Sequence, residues 1–125
     1  PWSEQAGLYD EICRDVAQRV GSQASVSAHW SHAYSDGACM YITMKIPSAD
    51  DDTGFRIHGE IWEIVMRKCL EKNGCISHHH GIGFFRINWL SKELNEGLSL
   101  LQGLKSAMDP KHILNPGKLG LNRKG

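Results

Sequence analysis

The sequence predicts an α+β fold of ferredoxin-like type, an antiparallel sheet with helices on one face. Three observations carry that expectation. The hydrophobic periods run in the order helix, strand, strand, helix, strand, helix. Two neighbouring segments alternate cleanly between apolar and polar residues, as half-buried strands of a hairpin do. In the segments around them, aliphatic residues recur at three- and four-residue steps and so line one helical face. A complete unit of this type has one more strand before its first helix. The pattern therefore predicts a truncated domain, incomplete at its N-terminus.

The first helix is expected over residues 3–20. Leu8, Ile12, Val16 and Val20 form its apolar face, and Glu4, Asp10, Glu11, Arg14, Asp15 and Arg19 fill the others. Ser3 is expected to cap it and Gly21 to end it. Val26, Ala28 and Trp30 then alternate with Ser25, Ser27 and His29 in a first strand. Residues 31–37 (Ser-His-Ala-Tyr-Ser-Asp-Gly) have turn composition. A second strand follows, with Ala38, Met40, Ile42, Met44 and Ile46 on one face and Cys39, Tyr41, Thr43 and Lys45 on the other. His29, His32, Tyr34 and Tyr41 gather around the hairpin connection, as packing residues or as one edge of a binding site.

Residues 47–52 connect onward and end in three aspartates, which suit the positive end of a helix dipole better than a metal. The second helix, residues 53–72, buries Ile57, Ile61, Ile64, Val65 and Leu70 and carries Arg67, Lys68 and Lys72 near its C-terminal end. Asn73-Gly74 supplies a left-handed stop. Cys75 and Ile76 are expected to open a short third strand. A last helix is expected over residues 89–108, striped by Leu90, Leu94, Leu98, Leu101, Leu104 and Met108, and halted by Asp109-Pro110. Ile113, Leu114 and Leu119 in the tail are expected to dock.

Bulk properties exclude several classes. Lys plus Arg equals Asp plus Glu at 14 each, so no electrostatic argument favours nucleic acid. No apolar run approaches the roughly 20 residues of a membrane helix, and Pro1-Trp2-Ser3-Glu4 has no secretion-signal character. The four cysteines, at 13, 39, 69 and 75, form no CxxC pair. They are expected to be reduced packing thiols of a cytoplasmic protein.

Chemistry concentrates in Ser77-His78-His79-His80-Gly81-Ile82-Gly83. Histidine alone has an unperturbed pKa, about 6.5, that allows either protonation state near neutrality. Three in a row on a glycine-bounded turn can accept protons, donate hydrogen bonds or bind a metal; a solvated surface loop is the plain alternative.

Together with Tyr34-Ser35-Asp36-Gly37-Ala38-Cys39-Met40-Tyr41 and the ending Asp109-Pro110 to Asn115-Pro116-Gly117-Lys118, this run resembles the C-terminal region of FAD-linked oxidases of the vanillyl-alcohol oxidase type. The likeness is strongest to their alkyldihydroxyacetonephosphate synthase branch. That resemblance implies FAD as cofactor, bound mainly by a domain absent from this chain. It implies catalytic roles for Tyr34, beside the reacting substrate carbon, and for His78, His79 and His80, beside the flavin and the charged head of the substrate. Asn115 and Lys118 become cofactor-side candidates, and Arg86 a substrate-binding candidate for a phosphate or carboxylate or, equally, a structural ion pair.

The resemblance further implies a substrate-side (cap) domain over residues 1–108 and a tail, 109–125, returning toward the flavin domain. The partner is a small-molecule or lipid substrate, with room for peripheral membrane contact through the missing part and for a homodimer. The implied reaction exchanges the acyl group of a dihydroxyacetone phosphate ester for a fatty alcohol, with no net oxidation. Two alternatives stay open. Flavin-linked 2-hydroxy-acid dehydrogenases, acting on glycolate or D-lactate, usually carry Glu-His-Gly where this chain has His79-His80-Gly81. A non-enzymatic zinc module would need a distant ligand such as His32 or Cys39, because adjacent side chains of an extended strand diverge. No metal site is expected.

Overall fold

A computed structural model describes residues 1–48 and 50–121. Ala49 of the expected connection and the last four residues of the expected tail lie outside the described residues. The chain forms two compact units, Pro1–Gly74 and a second that begins at Cys75.

The first unit is built from α1 (Trp2–Val20), β1 (Ser25–Ala33), β2 (Ala38–Lys45) and α2 (Asp51–Glu71). Leu8, Ile12, Val16 and Val20 of α1 are buried with Ile57, Ile61, Ile64, Val65 and Met66 of α2, and α1 packs against both α2 and the hairpin. Burying an aliphatic side chain of this size contributes about 1.5–3 kcal/mol, so the α1–α2 seam is the centre of this unit. The strands pair antiparallel, with Val26 opposite Met44, Ala28 opposite Ile42 and Trp30 opposite Met40. Val26, Ala28, Met40, Ile42 and Met44 are half-buried, whereas Ser25, Ser27, His29, Tyr41 and Thr43 are exposed. The predicted faces hold over these residues, while Trp30, expected on the inner face, is exposed and Cys39, expected on the outer one, is half-buried.

Local chemistry sets the ends. Ser3 does not cap α1, which begins one residue earlier with no side-chain cap. Its first donor is satisfied by the hairpin turn instead: Trp2 donates its backbone N–H to the Asp36 carbonyl at 3.2 Å and its indole N–H to the Tyr34 carbonyl at 2.9 Å. Gly21, with φ 57°, ends the helix as expected. Asp50 caps α2, accepting the Thr53 N–H at 2.8 Å. That bond holds the Asp50 carboxyl below the usual carboxylate range. At the other end Asn73 takes φ 56° and the Gly74 N–H donates to the Cys69 carbonyl at 2.8 Å, closing a Schellman-type stop. A Cβ on Gly74 would lie 2.7 Å from Cys69 Sγ.

The second unit departs from expectation twice. Cys75 and Ile76 form no strand, because Ile76 gives both of its main-chain groups to side chains. Its N–H donates to the Glu93 carboxylate at 3.1 Å and its carbonyl accepts from Arg86 Nε at 3.0 Å. The predicted last helix is two helices, α3 (Ile87–Leu94) and α4 (Gly97–Met108). Asn95 turns left-handed at φ 48° between them and breaks the ladder. Only Leu90 of the predicted stripe is buried; Leu104 and Met108 are exposed, Met108 by 80%.

The fold is α+β, four helices with a two-stranded antiparallel sheet among the described residues. No described helix is long and apolar enough to cross a membrane. All four cysteines are free thiols, half-buried except for the exposed Cys75.

Candidate functional site: the histidine turn

The histidines occupy a turn that the main chain alone holds loosely. Gly81 and Gly83 adopt φ 72° and 56°, conformations that L side chains rarely reach and that glycine takes at no steric cost. Polar side chains close the turn. Ser77 Oγ donates to the Gly81 carbonyl at 2.9 Å, and Arg86 Nη1 donates to the same oxygen at 3.2 Å. With the Nε bond to the Ile76 carbonyl, the Arg86 guanidinium spans the residues on both sides of the three histidines.

His78, His79 and His80 are exposed at the tip of this turn. His78 Nδ1 and His79 Nδ1 stand 2.9 Å apart. Two ring nitrogens at that distance share one proton, so one ring donates from Nδ1 and the other accepts there. The His79 and His80 rings meet edge to face with centroids 4.3 Å apart. The cluster thus sets imidazole nitrogens within hydrogen-bond distance of one another, each able to donate or accept according to its tautomer. Cys75 lies just before the turn. Burial first, and then the Glu93 carboxylate, push its thiol pKa up, which disfavours the thiolate.

Sequence reasoning left Glu93 and Ser77 without roles. Arg86 precedes α3 and Glu93 lies seven residues on, so both fall on one face of the helix and meet Ile76 from either side. The signal was that i,i+7 spacing of opposite charges, legible only once α3 is known to begin at Ile87. Burial lowers the Arg86 pKa, yet arginine keeps its charge in proteins. A positive charge therefore stands at the base of the turn.

Tyr34 lies in the other unit, at the hairpin end. Its N–H donates to the Gly37 carbonyl at 2.8 Å, closing a four-residue turn, and its side chain is 51% exposed. A register shift between Trp30 and His32 leaves Ser31 as an extra residue. Simple alternation would put His32 on the Trp30 face. The bulge pairs His32 with Cys39 instead, on the face where His29 stacks on Tyr41 at 5.0 Å.

Asn115 and Lys118 belong to a type II turn. Asn115 accepts the Lys118 N–H at 3.2 Å, with Pro116 and Gly117 (φ 76°, ψ −6°) at the central positions that this turn favours. The Lys118 ammonium sits 3.7 Å from the centre of the Phe84 ring. The tail is docked, though only Leu119 of the three residues expected takes part, half-buried in the segment that packs on α3. Ile113 and Leu114 are exposed, while Leu121 is buried and Gly120 passes so close to α3 that a Cβ would lie 2.9 Å from Ile87 Cγ2. Buried Asp109 fixes the start of the tail, accepting from Lys105, the Ile113 N–H at 3.1 Å and the Leu114 N–H at 3.0 Å.

Comparison with known proteins gives these features a family. Residues 1–119 match the family described as FAD linked oxidases, C-terminal domain. Alkyldihydroxyacetonephosphate synthase of Trypanosoma brucei brucei is 35% identical over 106 residues, 84% of this chain and 17% of that protein. An uncharacterized FAD-linked oxidoreductase, YgcU, of Escherichia coli K12 is 31% identical over 119 residues, 87% of this chain and 25% of that protein. Glycolate oxidase subunit GlcD of Bacillus subtilis is 39% identical over 56 residues, 44% of this chain and 12% of that protein. The chain therefore spans a quarter or less of the length of these relatives. No solved structure matches it. The chain belongs to the FAD-linked oxidase family and represents its C-terminal domain.

Proposed function

We propose that the chain is the substrate-side part of an FAD-dependent enzyme of alkyldihydroxyacetonephosphate synthase type. In this reading residues 1–108 form the cap domain and 109–125 the tail that returns to a flavin domain. One observation carries it: three exposed imidazoles, two of them joined by a hydrogen bond, cluster on a turn closed by Ser77 and Arg86, in a chain similar to that synthase.

The reaction asks for what such a turn offers. Removing a proton from carbon beside a carbonyl needs a base near neutral pKa within hydrogen-bond reach. A phosphate head and a developing enolate need donors already aimed at them. His78, His79 and His80 are the residues that would meet both demands. Tyr34 supplies a hydroxyl beside the reacting carbon. The acyl group leaves as a fatty acid with its own two oxygens, and the alcohol oxygen becomes the ether oxygen.

FAD supplies the electron sink when bound. Its pyrophosphate finds no cradle at α1, α2 or α4, which open on Pro1, on Asp50-Asp51-Asp52 and on Glu96 without a glycine-rich turn. The residues of this chain that would meet it are Asn115 and Lys118 on the cofactor side and His78, His79 and His80 beside it.

The test uses the full-length parent protein loaded with FAD, given acyl-dihydroxyacetone phosphate and an isotope-labelled long-chain alcohol. Labelled ether, read by mass spectrometry, is the expected product. The similarity to the glycolate oxidase subunit favours a second reading, oxidation of 2-hydroxy acids. Reduction of a dye acceptor by glycolate or D-lactate, without ether, would replace the first reading by that one.

A further inference from the structure

We propose that Arg86 is the positioning residue of the histidine turn, acting on His78, His79 and His80 through the main-chain carbonyls of Ile76 and Gly81. The inference rests on the functional reading above only in taking the histidines as the catalytic groups. It assigns Arg86 a different task from gripping the substrate.

The geometry carries it. Residues 77–80 are spanned by a single planar group: Nε–H meets the Ile76 carbonyl at 3.0 Å and Nη1–H meets the Gly81 carbonyl at 3.2 Å. A guanidinium presents its donors in a fixed fork, so two bonds from one plane set the separation and orientation of both carbonyls. A lysine, with its charge at one point, reproduces either bond and not the fork. Ser77 Oγ adds a second donor to the Gly81 carbonyl.

The turn needs such a clasp. Gly81 and Gly83 leave the backbone many alternatives in the absence of outside contacts. Acid–base chemistry tolerates about 0.5 Å of misplacement in the reacting groups. Arg86 can serve as anchor because its own backbone is fixed: its N–H donates to the Ile82 carbonyl, and its carbonyl accepts from Trp89 and Leu90 at the start of α3. Glu93, on the same helix, holds the Ile76 N–H. The helix therefore grips the peptide that enters the turn from both sides.

The experiment compares full-length, FAD-loaded wild type with Arg86→Ala, Arg86→Lys and Ser77→Ala by hydrogen exchange and mass spectrometry without substrate. Loss of a charge-assisted clasp raises amide exchange at the two ends of the turn, Ile76 and Arg86, whose N–H groups donate to Glu93 and to the Ile82 carbonyl, by about tenfold or more in Arg86→Ala, with α1 and α2 unchanged. Arg86→Lys and Ser77→Ala fall between. Turnover drops in Arg86→Ala at nearly constant KM for the phosphate ester, and added guanidinium ion restores part of it. Unchanged exchange of the turn in Arg86→Ala overturns the proposal. So does a rise in KM alone with the turn still protected, which would return Arg86 to substrate binding. Where Arg86→Ala does not fold, exchange and KM in Arg86→Lys decide between the same outcomes. If wild type makes no ether, the functional reading fails while the exchange result still judges the clasp.

Discussion

Lys68 Nζ of α2 stands 3.0 Å from the Glu11 carboxylate of α1, and Lys72 approaches the same carboxylate at 3.0 Å from one turn further on. These bonds cross the α1–α2 seam and tie the polar rim of the first unit to its buried centre. Hydrogen bonds from Lys72, then Lys68, lower the Glu11 pKa from 4.5 to about 2.

A pH dependence follows from that shift. A carboxyl whose folded pKa is depressed adds stability above its unfolded pKa and loses it as pH falls toward the folded value. The Glu11 contribution is therefore full above 4.5 and fades between 4.5 and about 2. Exposed pairs are screened by water and salt, so the effect is modest. Urea midpoints followed by α1 and α2 amide exchange should fall across this window in wild type and fall less steeply in Glu11→Gln. Equal slopes in the two proteins would show that the pair does not couple to folding.

The buried seam itself should be far more sensitive. Ile61 is fully buried between the helices, at 0% exposure. Ile61→Ala removes its contacts and leaves a cavity, a change that costs about 2–5 kcal/mol. Amide exchange in α1 and α2 reads that loss directly. A change below about 1 kcal/mol would mean that the seam collapses around the gap.

The helices of the first unit and both faces of its hairpin were legible because each rests on local periodicity: Leu8, Ile12, Val16 and Val20 at four-residue steps, Val26, Ala28 and Trp30 at two. What was not legible depends on partners distant in sequence. Ile76 reads as strand by composition, but Glu93 and Arg86 claim its hydrogen-bonding groups. Leu94, Leu98 and Leu101 continue the stripe of Leu90, and only the left-handed Asn95, followed by Gly97, marks the break. The histidine turn was visible as a run of residue types. The fork that closes it was not, since nothing near Arg86 in sequence announces a bond back to Ile76.

At the turn, removal of one imidazole should act on chemistry and leave folding intact. His79 makes ring contacts with both neighbours and a hydrogen bond with His78 between their Nδ1 atoms. His79→Ala should lower turnover by about 10²–10⁴-fold, the range of a lost general acid or base, with an unchanged melting temperature because the side chain is exposed. Wild-type turnover would remove His79 from the mechanism. Tyr34→Phe makes the parallel case in the hairpin, deleting only a hydroxyl from an exposed ring. A large loss of turnover at constant stability is expected there too, and near-normal turnover would class Tyr34 as packing.

The tail offers a test of a different kind, because one buried carboxylate organises it. Asp109 accepts from the Lys105 ammonium and from the Ile113 and Leu114 N–H groups. The Lys105 bond first, and then the two amides, hold its carboxyl below the usual carboxylate range. Asp109→Asn preserves the shape but offers one acceptor oxygen, and turns an NH2 toward groups that are themselves donors. Amide exchange over residues 112–119 should rise in this variant while α1 and α2 keep their protection. The same loosening should appear in wild type as acid protonates Asp109, since a depressed carboxyl loses its contribution as pH falls through its folded pKa. Asp109→Asn should already be loosened at neutral pH. Full protection of the tail in the variant would assign its docking to the burial of Leu121 rather than to the carboxylate.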